Sequence, residues 1–88
     1  MQSFQATLTD DAGQSITDVE GSIRPPGEAQ GPRQGEFDLQ ESEAFMQGVL
    51  DQKTFGLECN DGERLAIRVD SVSTADRPGY SRAKFSVV

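Results

Sequence analysis

The sequence contains no histidine, no tryptophan and a single cysteine, Cys59. Histidine is the side chain that most often serves as general base and as metal ligand, so its absence removes the commonest routes to acid–base catalysis and to zinc. A lone cysteine cannot close an intramolecular disulfide, the usual device by which small secreted domains offset a thin core. The expectation is therefore a soluble, cytoplasmic chain. No apolar run approaches the roughly 20 residues that a membrane helix needs, and no basic start leads into an apolar stretch as in a signal peptide. A glycine-rich phosphate loop followed by Lys-Ser/Thr is missing as well. Nothing calls for a cofactor, a metal or a membrane.

Basic residues are scarce. Eight Lys and Arg face fifteen Asp and Glu, for a net charge of −7. Such a charge opposes nonspecific attraction to nucleic acid or anionic lipid, which relies on cationic groups displacing counterions. The imbalance is uneven along the chain. Residues 1–62 hold three basic and twelve acidic groups, net −9, whereas residues 63–88 hold five basic and three acidic groups, net +2.

What is present is one domain spanning residues 1–88. A chain of this length buries only roughly 60–65% of the surface it exposes when unfolded, so the core is small. Hydrophobic residues make up 34% of the chain, but they fall into short patterned runs, which argues against disorder along the whole length.

Phe4, Ala6 and Leu8 alternate with polar residues, the period-two signature of a half-buried strand. Asp10-Asp11-Ala12-Gly13 supplies a turn, and a second extended segment covers about Ser15 to Arg24. Ile16 lies out of phase with Val19, Gly21 and Ile23, so a bulge is expected near Thr17-Asp18. From residue 24 to 35 the sequence RPPGEAQGPRQG holds three prolines, three glycines and no large apolar side chain. It reads as an exposed flexible loop, more in the manner of disorder than of a binding device. Glu36 to Gln40 forms a third strand with Phe37 and Leu39 inward.

Ser42 is placed as a helix N-cap, flanked by Glu41 and Glu43 at the positive end of the helix dipole. Phe45 with Val49, and Met46 with Leu50, are spaced to share a helical face, although Gly48 weakens the helix. Phe55, Leu57 and Cys59 alternate again, and Asn60-Asp61-Gly62 signals a hairpin. Leu65, Ile67 and Val69 continue beyond it. Val72 is out of phase, which predicts a bulge near Asp70-Ser71. Residues 74–82 read as a second flexible loop, and Ala83, Phe85 and Val87 form a last strand.

The expectation is a mainly β fold: a small, strongly bent antiparallel β-barrel or half-open sheet of about five to six strands, with one short helix between strands 3 and 4. This element order resembles that of an OB-like or SH3-like barrel. The resemblance is one of order and not of motif, so it implies nothing about function.

Candidate sites are few. Carboxylate pairs such as Glu41/Glu43 and Asp10/Asp11 fit a helix start and a turn better than the enclosed cleft of a carboxylate enzyme. Cys59 is in phase with Phe55 and Leu57, which makes it a core thiol and not a nucleophile. Asn60-Asp61-Gly62-Glu63 lacks the spacing of a calcium loop. The expectation is of no catalysis.

Arg64, Arg68, Arg77, Tyr80, Arg82 and Lys84 all fall in the last segment and make up the one candidate ligand-contact surface, a cationic stripe with a stacking aromatic. Net charge stands against a nucleic-acid partner, and pairing of these cations with Asp70 and Asp76 is the simpler account. The expected role is a non-catalytic module that binds a protein or a second copy of itself through an exposed sheet edge, with the C-terminal strand at Val87-Val88 as one such edge. The alternative is an OB-like nucleic-acid-binding domain that uses the basic stripe. A third reading, in which the acidic N-terminal part mimics DNA toward a basic partner, has less support from the charge.

Overall fold

A computed structural model describes residues 2–24 and 33–88. Six strands and one helix follow in the order β1 (Gln2–Thr9), β2 (Ser15–Ile23), β3 (Gln34–Gln40), α1 (Glu43–Leu50), β4 (Thr54–Cys59), β5 (Arg64–Thr74) and β6 (Tyr80–Val87). All neighbours are antiparallel, and the sheet closes on itself in the order β1-β2-β3-β6-β5-β4. The half-open alternative is thus excluded. Two three-stranded meanders, β1–β3 and β4–β6, are joined along two seams, β3 with β6 and β1 with β4. The C-terminal strand is not an edge, contrary to the sequence expectation. It lies between β3 and β5, because Phe37 and Val72 both align with Ala83 across it.

Alternation dictates what fills the barrel. Leu8, Phe37, Leu39, Leu57, Ile67 and Phe85 project inward from their strands and are almost wholly buried. The five phenylalanines form a column of ring contacts: Phe4 to Phe85 at 6.2 Å, Phe85 to Phe37 at 5.5 Å, Phe37 to Phe45 at 6.1 Å and Phe45 to Phe55 at 5.2 Å between centroids. These separations suit edge-to-face and tilted packing, which adds to the area each ring buries.

Phe45 comes from α1, which carries the chain from β3 past β6 and β5 to β4 and closes that end of the barrel. A β-carbon at Gly48 would lie 2.6 Å from Cζ of Phe55, so the buried Phe55 ring would have to shift to admit one. Of the two expected helical pairs, Phe45 and Val49 pack on the core, while Met46 and Leu50 face outward. Ser42 caps the helix by accepting from the Phe45 N–H at 3.4 Å. Beyond the C-cap at Asp51, the Gln52 N–H donates to Val49 O and the Lys53 N–H to Gly48 O. This Schellman closure puts Gln52 at a φ of 56°.

Both expected bulges exist. In β5 the extra residue is Asp70, between Val69 opposite Phe85 and Ser71 opposite Lys84. In β2 it is Ile16, between Thr17 opposite Leu8 and Ser15 opposite Thr9, slightly nearer the turn than the phase slip suggested. The β4–β5 hairpin is a three-residue loop in which only Gly62 has positive φ. Of the loop expected at 24–35, residues 25–32 lie outside the described residues, while β3 already begins at Gln34. The connection expected at 74–82 is shorter in the fold. Thr74 belongs to β5, and Tyr80, Ser81 and Arg82 belong to β6, because the β3 and β5 ladders hold these polar residues.

Candidate functional site

Strand alternation decides where the basic residues go. Arg82 and Lys84 project outward from β6, and Arg64 and Arg68 outward from β5. The fold therefore gathers Arg68, Arg82 and Lys84 on one outer face. It places Arg77 and Tyr80 at the end of the barrel shared with α1, and Arg64 near the opposite end. The sequence grouping survives only in part.

Each arginine of the group is already engaged. Arg82 donates to Asp38 on β3 through Nε at 2.8 Å and Nη2 at 3.4 Å, a forked ion pair. That hydrogen bond and the Asp38 charge push the guanidinium pKa still higher, so it stays a cation. Arg68 lies 3.6 Å from Asp70, and Arg64 lies 3.6 Å from Glu58 across the β4–β5 ladder. The Arg77 guanidinium stacks 4.2 Å over the Tyr80 ring, which occupies the face a base would use. Of these partners the sequence points to Asp70 alone; Asp38 and Glu58 are not legible in it, because cross-strand partners depend on register.

A band of polar contacts continues around the barrel from this pair. Gln5 Nε2 donates to Glu20 at 3.2 Å, Asn60 Nδ2 donates to Gln5 at 3.1 Å, and Thr7 donates to Asp18 at 3.0 Å. These contacts line the floor of an open groove across β1 and β2, walled by Arg77 and Tyr80. Its carboxylates Asp18, Glu20 and Asp38 are held by neighbouring donors.

Cys59 is half-buried against the core at the end of β4. Burial raises its pKa first, then the charges of Asp61 and Glu63, with Arg33 opposing them. The protonated thiol is the favoured form, which is the wrong form for a nucleophile. The Asn60-Asp61-Gly62-Glu63 run is explained by its turn. Asp61 accepts from the Glu63 N–H at 2.9 Å, and Glu63 pairs with Arg33 at 3.1 Å. Among the described residues no group of three or more His, Cys, Asp or Glu is placed to hold a metal ion. Among those residues, too, no helix is long and apolar enough to cross a membrane.

A different surface forms where β5 outruns β4. The β4 ladder reaches only Arg68, opposite Thr54, whereas β5 continues to Thr74. Along 70–74, β6 is the only ladder partner among the described residues, and all of these residues except Val72 are exposed. Ala75 donates to Tyr80 O, so the odd positions beyond the bulge face β6. By alternation, the N–H and C=O groups of Val72 and Thr74 point to the unpaired side. A groove of 630 Å³ runs there between β5 and the start of α1, lined by Glu41, Glu43, Met46, Val72, Ser73 and Thr74 among others. Met46 is 39% exposed at its rim. Neither Glu41 nor Glu43 is in an ion pair among the described residues. Sequence patterning carries no sign of this edge, since it arises from unequal strand lengths across a pairing that no local pattern encodes.

Comparison with protein families, with curated proteins and with solved structures finds no match to this chain.

Proposed function

We propose that this chain is a non-catalytic β-barrel module that acts by binding polypeptides. The observation that carries the proposal is the unpaired β5 edge at residues 70–74 beside the exposed Met46. Exposed strand backbone is a template for a further strand, and natural sheets usually protect such edges with lysine, proline or a covering element. Here the edge carries one bulge and otherwise serine, valine and threonine. Two further facts support the reading. The barrel interior is filled by its own side chains, which leaves the outer surface as the place for recognition. A free, protonated thiol suits a reducing compartment, and we place the protein in the cytoplasm on that ground.

A second reading has its own observation, the shared outer face of Arg68, Arg82 and Lys84. A nucleic-acid ligand would have to compete there with Asp38 and Asp70 for two of the three cations. The test is affinity capture from native lysate, with and without nuclease. A stoichiometric protein partner that survives nuclease treatment supports the module reading. Recovery that collapses with nuclease, and with Arg82→Ala/Lys84→Ala, replaces it with the nucleic-acid reading.

A further inference from the structure

We infer that the β5 edge accepts an extended segment of a basic partner polypeptide, which adds as a strand beside residues 70–74 and sets an apolar side chain against Met46. The inference rests on the polypeptide-binding reading above and names the surface and the chemistry of its partner.

Three features converge on this occupant. The Val72 and Thr74 backbone groups face away from β6, so a strand laid along them gains ladder hydrogen bonds without disturbing the barrel. Across the groove, Met46 presents a flexible apolar side chain, of a kind that adapts to varied partner residues. Glu41 and Glu43 supply two carboxylates that are in no ion pair, and no cation lines the groove, among the described residues. Charge complementarity therefore selects lysine or arginine in the incoming strand. It disfavours a second copy of this chain, which would bring a further Glu41 and Glu43 to the same place. Alternation in a strand fixes the pattern. The parity of the incoming segment that faces α1 carries an apolar residue against Met46 and Val72 and, two residues away on the same face, lysine or arginine beside Glu41 and Glu43.

The experiment is selection of random linear peptides of about a dozen residues on the full chain, with the selected peptides then synthesised and titrated. The expected peptides pair an apolar residue with lysine or arginine at i, i+2 spacing, and their affinity falls as salt rises. Thr74→Pro removes one outward N–H and leaves the β6 ladder intact, so it should weaken binding by about tenfold. Met46→Lys, on an exposed helical site that retains the fold, removes the apolar contact and adds a like charge, so it should weaken binding by a similar factor, about tenfold. Glu41→Gln and Glu43→Gln should each cost roughly threefold and flatten the salt dependence. Val88→Ser, at the opposite end of β5 and β6, should leave binding unchanged.

Acidic or patternless peptides, an absence of enrichment, or binding indifferent to both Thr74→Pro and Met46→Lys would overturn the inference. So would a concentration-dependent dimer abolished by Met46→Lys, which would make the second copy the occupant. A nuclease-resistant partner that persists on Thr74→Pro would remove this edge while leaving the polypeptide-binding reading in place.

Discussion

At Gly21 the backbones of β2 and β3 come so close that a β-carbon would overlap the Glu36 carbonyl oxygen and crowd Phe37 Cα at 2.7 Å. Neither obstacle is a side chain that can swing away. Gly21→Ala is expected to lower the unfolding free energy by about 3 kcal/mol, read by urea denaturation. Phe45 presents the opposite case, a large side chain that stoppers the barrel between Phe37 and Phe55. Removing its ring in Phe45→Ala leaves a cavity that costs about 3–5 kcal/mol, again read by urea. Cys59 makes a pH-dependent contribution. Because its pKa is raised on folding, its stabilisation is intact below the unfolded thiol range and is lost as pH climbs through the folded value. Alkylation at mildly alkaline pH should be slower in the folded chain than in urea, and an equal rate would contradict the burial of the thiol.

Helix α1 is short, so its two ends decide its stability. Ser42 contributes a single long cap bond, and Ser42→Ala should cost about 0.5–1 kcal/mol in thermal or chemical melts. At the other end Gln52 holds a left-handed conformation that glycine adopts more readily. Gln52→Gly is therefore expected to stabilise the protein by up to about 1 kcal/mol, and a loss would mean that unfolded-state entropy outweighs the relief of strain. Much at this scale was readable in the sequence. Ser42 as cap, the Phe55/Leu57 alternation, the Asn60-Asp61-Gly62 hairpin and the Asp70 bulge all rest on interactions within a few residues or on parity along one strand. The Ile16 bulge was misplaced slightly because Ile16 is only half-buried, so its parity constrains the slip weakly. The partners of Arg82 and Arg64, and the open edge beyond Arg68, depend on which strands meet and how far each extends. No local pattern carries that information.

Over the whole molecule the charge asymmetry of the chain is folded into proximity. Strand β6 brings Arg82 to Asp38, and β3 joins it to β2, so part of the basic C-terminal segment lies against the acidic N-terminal one. Exposed pairs of this kind contribute little individually, whereas a net charge of −7 on so small a body repels itself. Moderate salt should therefore raise the midpoint of thermal unfolding. A fall with salt would show that the ion pairs outweigh the repulsion they only partly relieve.

The seam between β1 and β4 has a consequence for how the chain comes into being. Residues 6–9 must meet residues 56–59, so during synthesis β1 waits for β4 before its outer side is covered. Until then β1–β3 is a sheet with two raw margins, the condition in which nascent chains stick to one another. The carboxylates along this half, Asp18, Glu20, Glu36 and Asp38 among them, give the unfinished sheet a negative charge that opposes its contact with another copy, until the second meander arrives with its arginines.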